Sequence, residues 1–218
     1  LRTIAKYSTV AAAAAAVLAV VAAPAASQET SGTFTVLDQG HVDVFGLAYE
    51  NGELDLHVHD EETATEYAPS EVVLAAVPES KTTVPAGAEY DFLGEEGDEM
   101  WLLSDTHVEG VLFAGWGTEE IAAGDFADDT LTITVHDASG RGDVDLYTVD
   151  GFGTPDVLFD SDAGAGSWDV GAASHGHLNW AFSEPGAYQL TVEAEGVDAA
   201  TGETVSTGEV DYCFWVQA

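Results

Sequence analysis

The stretch HVDVFGLAYENGELDLHVH, residues 41–59, decides the fold. In its second half Leu54, Leu56 and Val58 fall on one face and Asp55, His57 and His59 on the other, the period of two of a half-buried strand. The run 41–49 reads as a preceding strand, with His41 and Asp43 on the same face as Phe45. Glu50-Asn51-Gly52 joins them, and Asn-Gly is the pair that accepts the positive φ values of a two-residue hairpin turn.

Outward from this hairpin the period of two continues, from Thr33 to the end of the chain, with Gly, Pro, Asp and Asn recurring roughly every ten residues. Residues 33–37 and the apolar run 71–77 read as strands, the latter central in its sheet. Residues 100–103 and 111–113 read as strands flanking a loop at Asp105-Thr106-His107. In 131–136, Leu131, Ile133 and Val135 point inward and Thr132, Thr134 and His136 outward, and 143–149 is expected to pair with it as a hairpin through Gly140-Arg141-Gly142. Residues 187–194 and 204–216 read as a long final hairpin around Ala200-Thr201-Gly202, with short helical turns expected near 118–122. Ser183-Glu184-Pro185-Gly186-Ala187-Tyr188 resembles the turn-then-Tyr entry to the penultimate strand of immunoglobulin-like domains, in which the hydroxyl bonds back to the corner backbone. The expectation is an all-β, immunoglobulin-like, two-sheet β-sandwich.

At the N-terminus Arg2 and Lys6 precede an Ala-rich apolar run over 10–23, then small residues at Ala23, Ala25 and Ala26. That three-part pattern predicts a signal peptide over 1–27 and a single sandwich domain over 28–218. The run is shorter than the roughly 20 residues of a membrane span, so the alternative of an N-terminal anchor is the weaker one, and no span is expected after cleavage. The predicted location is secreted, extracellular or at the cell surface.

Export would remove two of the four basic residues and leave Lys81 and Arg141 against 40 acids. Such a chain repels nucleic acid, and its self-repulsion falls as salt shortens the screening length, which points to a salt-loving source. Cys213 is the lone cysteine, so no internal disulfide is available, and its strand parity puts it with Asp211 and Trp215 opposite Tyr212 and Phe214. No Gly-x-Ser-x-Gly elbow, His-Glu-x-x-His helix or phosphate-binding Gly loop is present, and the expectation is a protein that is not an enzyme. Asp160-Ser161-Asp162-Ala163-Gly164 lacks most of a calcium-loop pattern and reads as an acidic turn.

The residues that invite chemistry are histidines. In 175–182, an extended backbone sends Leu178, Trp180 and Phe182 to the core and projects His175, His177 and Asn179 from the opposite face. His57-x-His59 repeats the spacing, and His41 sits with Asp43, so five of seven histidines fall in three short strand segments. Neutral imidazole is a common transition-metal ligand, with zinc–nitrogen distances of about 2.0–2.1 Å, so a shared ion needs the ring nitrogens within about 4 to 5 Å of one another. The competing reading is of solvated or hydrogen-bonded polar residues on half-buried strands.

Several blocks together resemble the actinobacterial surface-anchored protein repeat domain, also called the choice-of-anchor M domain. They are 40–44, 101–103 through 110–119, and 175–182 through 185–188, in order along the chain. The resemblance implies an extracellular actinobacterial protein, in some members fixed to the wall by a sortase signal and encoded beside a metal-type ABC transporter, for which a substrate-binding relay at the surface has been proposed. By position it names His41, His175 and His177 as first candidate ligands; His57 and His59, outside those blocks, rank second on their spacing, and the expectation is an ion such as zinc or manganese with transporter components or wall-anchored homologues as partners. Where the family usually reads Thr-His-Thr-His-Ala-Asn-Trp, this chain has Ala173-Ser174-His175-Gly176-His177-Leu178-Asn179-Trp180, which keeps both histidines, and a Pro-Gln-type loop is replaced by Ser104-Asp105-Thr106-His107. No Leu-Pro-x-Thr-Gly signal follows Val216-Gln217-Ala218, so release or non-covalent retention is expected.

Two other functions compete with metal relay. One is a structural or adhesive surface module, in which His177, Asn179 and Trp180 fix a turn. The other is a lectin or carbohydrate-active enzyme using Trp101, Trp116 and Trp168.

Overall fold

In the computed structural model, which describes residues 34–218, the 41–59 stretch folds into the expected hairpin. Asn51 and Gly52 carry φ of 54° and 86°, and Glu50 pairs with Glu53 across them. The strands in chain order are β1 (Thr35–Leu37), β2 (Gly40–Glu50), β3 (Glu53–Asp60), β4 (Thr65–Tyr67), β5 (Val72–Ala76) and β6 (Lys81–Thr83). Next come β7 (Glu99–Leu103), β8 (Leu112–Glu120), β9 (Phe126–Ser139), β10 (Val144–Val149), β11 (Pro155–Asp160) and β12 (Gly166–Gly171). The last five are β13 (His175–His177), β14 (Asn179–Phe182), β15 (Gly186–Asp198), β16 (Thr204–Ser206) and β17 (Val210–Val216). The predicted signal peptide lies outside the described residues, which belong to one unit, Gly32–Ala218.

The chain is an all-β sandwich. One layer is the sheet β1-β5-β17-β15-β9-β12, with β16 added along β15. Against it pack two five-stranded sheets, β11-β10-β14-β7-β6 and β13-β8-β2-β3-β4. Rings from all three meet in one core: Phe45 of β2 lies 5.1 Å from both Tyr212 of β17 and Trp180 of β14, and Trp180 lies 5.3 Å from Phe214. Phe182 continues the series to Phe214 at 5.6 Å and to Tyr188 at 5.0 Å. Offset aromatic pairs at these separations add about 0.5–1.5 kcal/mol each beyond the area they bury. The corner expected at Tyr188 is present, its hydroxyl donating to the Glu184 carbonyl at 2.6 Å.

Four local expectations are corrected. Residues 131–136 and 143–149 do not pair: β9 lies between β12 and β15, whereas β10 lies between β11 and β14 in another sheet. Alternation tells which face of a strand is apolar and not which strand is its neighbour. The link between them is instead a crossing from one layer to the other, and Gly140 makes it possible, because a Cβ there would run into the Tyr188 ring.

Phe45 does not share a face with His41 and Asp43. The register of β2 slips against both neighbours between Asp43 and Gly46, and this bulge turns Phe45 into the core while leaving Asp43 outside it. Residues 118–120 are the end of β8 and the chain then bends at Ile121, whose amide donates to the Thr118 carbonyl, so no helical element forms there. The final hairpin is interrupted, β15 pairing with β17 along its first half and with β16 near its end.

Candidate metal centre

The 175–182 segment is two strands, not one. His175–His177 forms β13 on the edge of the β8 sheet, and from Asn179 the chain joins β10 and β7 in the other sheet. The change of sheet at Leu178 keeps Leu178, Trp180 and Phe182 in the core as expected. It also separates Asn179 from the histidines: that side chain is buried, and its Oδ1 accepts the Asp105 amide at 3.1 Å.

The strand order β13-β8-β2 now brings distant residues together. On β8, Phe113 stands opposite His41, Gly115 stands between Asp43 and His177, and Gly117 stands opposite His175. A glycine in a strand weakens it, so its presence marks a close approach. Both glycines do so here. A Cβ on Gly115 would stand 2.9 Å from His177 Nδ1, and one on Gly117 would stand 2.5 Å from Asp43 Oδ2 and 2.7 Å from Glu119 Oε2. Gly46 on β2 plays the same part for His57, whose Nε2 lies 2.6 Å from the place of its missing Cβ. Glycine thus forms a floor on which imidazoles and carboxylates lie down over the sheet.

His41, His175 and His177 each offer a ring nitrogen within 4.8 Å of the others. Their ring centroids are 4.8 Å apart for His41–His177 and 5.8 Å apart for the other two pairs. Nitrogens sharing a tetrahedral zinc stand about 3.3 Å apart, so small rotations of the rings close the remaining gap. Phe113 stacks on His177 at 3.5 Å and 14°, which fixes that ring as a rigid member. Burial pushes the His177 imidazole down to about 4, with His41 alongside adding to the effect and the Ala114 carbonyl, 3.4 Å from Nδ1, opposing it. The ring is therefore neutral, the state a metal ligand requires.

Asp43 lies against the His41 member of this triad. It is 2% exposed, and its Oδ1 lies 3.5 Å from His41 Nε2 without reaching hydrogen-bond contact. Neither atom has a hydrogen-bond partner among the described residues. Burial raises the Asp43 carboxyl above its ordinary range and His41 pulls it back, while Glu119 and Glu61 raise it further. His175 Nδ1 is held by Glu119 Oε1 at 2.9 Å, an arrangement that orients an imidazole for coordination through its other nitrogen.

The second-rank histidines lie on the same sheet but not in the triad. His59 groups with Asp43 and Glu61, and His57 with Glu66 and Glu120. His57 is buried between carboxylates, with Nε2 at 3.5 Å from Glu120 and Nδ1 at 3.9 Å from Asp55. A cleft of about 230 Å³ runs between these groups, lined by Asp43, His57, His59, Glu61, Glu119 and Glu120. His107 lies edge-on to Phe113 at 5.6 Å, and His136 is on the large sheet, 2.8 Å from Glu193.

Sequence reasoning missed Glu61, Glu119 and Glu120, which are inconspicuous among 40 acids. The signal that could have found the place is the Gly115-x-Gly117 pair inside an apolar strand. Of the tryptophans considered as sugar platforms, Trp101 is buried, and Trp116 and Trp168 pack against the core. No helix among the described residues is long and apolar enough to cross a membrane. No protein-family model, no curated protein and no solved structure matches the chain.

Proposed function

We propose that the chain is an extracellular binding protein for a transition-metal ion of the zinc or manganese kind, or for a complex of one, which it passes to a metal-type ABC transporter at the cell surface. The observation that carries the reading is the meeting of His41 with His175 and His177, three imidazoles from two strands separated by β8, beside a buried Asp43 whose Oδ1 accepts no hydrogen bond among the described residues. Three nitrogens favour zinc, copper or nickel over magnesium or calcium, which take oxygen ligands. The resemblance to the surface-anchored repeat domain supports the location and the partner.

Metal analysis of untagged protein before and after addition of zinc tests it, alongside the His175→Ala/His177→Ala double variant. Wild type takes up zinc, and the double variant, lacking two of the three imidazoles, takes up less. Equal, negligible uptake by both overturns the reading.

A structural or adhesive role is the second reading, and the stacking of His177 on Phe113 favours it. It predicts that the double variant melts at a lower temperature and that zinc changes neither protein's Tm.

A further inference from the structure

We propose that Asp43, His59 and Glu61 form a second cation site, separate from the three histidines and joined to them through Asp43, so that the face holds two divalent transition cations with the Asp43 carboxylate between them. The proposal extends the metal-binding reading above and is testable apart from it.

The first argument is the state of Asp43. A carboxylate this buried costs several kcal/mol unless it is paired. Asp43 lines the 230 Å³ cleft, and its Oδ1 has no hydrogen-bond partner among the described residues. The side chain closest in sign and reach, His41, stands on the triad's side of it at 3.5 Å. His59 and Glu61 each offer a ligand atom within 4.8 Å of one on Asp43 and of each other.

The second argument is like charge brought together. Asp43 Oδ2 and Glu119 Oε2 both close on the space above Gly117. Glu61 pairs with His59 Nδ1 at 3.4 Å, and Glu120 faces the same cleft. Four carboxylates in one cleft repel, and a divalent cation held there offsets that repulsion. A carboxylate has two oxygens and binds one cation through each, as in two-metal sites. The donor sets differ, three nitrogens on one side and two carboxylates with one imidazole on the other. The second site, richer in oxygen, therefore discriminates less against manganese than the triad does.

The test is stoichiometry. Zinc and, separately, manganese are titrated into the full chain in molar sodium chloride with excess magnesium, so that the general acidity of the surface binds neither. Wild type is expected to take two zinc ions, and His175→Ala/His177→Ala and His59→Ala/Glu61→Gln one each. Asp43→Asn is expected to weaken both sites by about 10–100-fold. Metal-free melts establish that each variant is folded, and Glu61→Gln alone, at a more exposed position, serves if the double variant is not.

One zinc, lost in the His175/His177 variant and kept in the His59/Glu61 variant, overturns the second site and leaves the proposed function standing. One zinc with the opposite pattern removes the triad as the site and sustains the Asp43 site. No zinc in wild type overturns both, and two zinc ions whose affinities Asp43→Asn leaves unchanged overturn the shared carboxylate.

Discussion

Replacing Gly115 by Ala tests whether the glycine floor is what allows the histidines to converge. The added methyl would stand 2.5 Å from the Gly176 carbonyl oxygen, where ordinary contact begins at 3.4 Å. The obstacle is backbone, which cannot swing away as a side-chain tip can, so β13 must back off β8 by about 0.9 Å. β13 has only three residues and pairs on one side only, so the sheet yields there first. Overpacking of this size costs about 1–3 kcal/mol. For a chain of this length that is a fall of roughly 2 to 12 °C in Tm. The effect on metal is larger in proportion, because ligand distances tolerate only about 0.2 Å and both His175 and His177 ride on the displaced strand. Zinc affinity, measured by competition with a chromogenic chelator, is expected to fall at least tenfold. Gly151→Ala is the control, since nothing lies within 4 Å of its new methyl. Wild-type zinc affinity in folded Gly115→Ala refutes the argument that close packing over β8 makes the site.

Three further outcomes are expected. Asp145 is 4% exposed, and burial, reinforced by Asp160 and Asp143, pushes its carboxyl up to about 8 from 3.8. A raised acid favours the folded state most at low pH, so stability is lost as pH rises from about 4 toward 8, at up to about 1.4 kcal/mol per unit. Thermal melts should show Asp145→Asn gaining on wild type across that window, and parallel curves would remove the buried acid as their cause. Tyr188→Phe deletes the hydroxyl that donates to Glu184 and should lower stability by about 1–2 kcal/mol in urea unfolding, with no change in metal uptake. With a formal charge of −36, the protein should gain Tm as salt rises from about 0.1 to 1 M, equally in sodium and potassium chloride, because screening shortens from about 10 to 3 Å. A flat response would mean that the acids do not strain the fold.

The parts of the fold legible in the sequence are those decided within a few residues. The Asn51-Gly52 turn and the alternation of β3 are local, and so is the corner closed by Tyr188. Pairing is not local. β2 lies parallel to β8 and β10 lies beside β14, across intervals of chain that alternation does not span. The bulge after Asp43 was hidden for another reason: it changes no composition, only the count of residues between two partners. It nonetheless decides the site, since it sends Phe45 to the core and leaves Asp43 beside His41. The same holds at Leu178, where the chain steps between sheets and strands Asn179 inside. Five histidines in three strands were visible as candidates. Their sorting into a triad, a group around Asp43 and a buried His57 between two carboxylates followed from the order β13-β8-β2-β3.

The abundance of acids makes the histidines more telling. Surface carboxylates draw every cation to the protein, and at high ionic strength sodium, potassium and magnesium occupy that atmosphere by number alone. An oxygen-lined surface has little means of preferring a scarce transition ion, because carboxylates suit the hard cations that are abundant. Preference requires nitrogen, and nitrogen that stays free of protons. On the proposed metal-binding reading, the placement of His177 against Phe113 would supply this by excluding water from the ring and holding its proton affinity down, with His41 and His175 completing the set. Each of these conditions depends on β8 having no side chain at Gly115 and Gly117. A sheet with ordinary residues there would lift the imidazoles apart and leave only the acids, which attract cations without choosing among them.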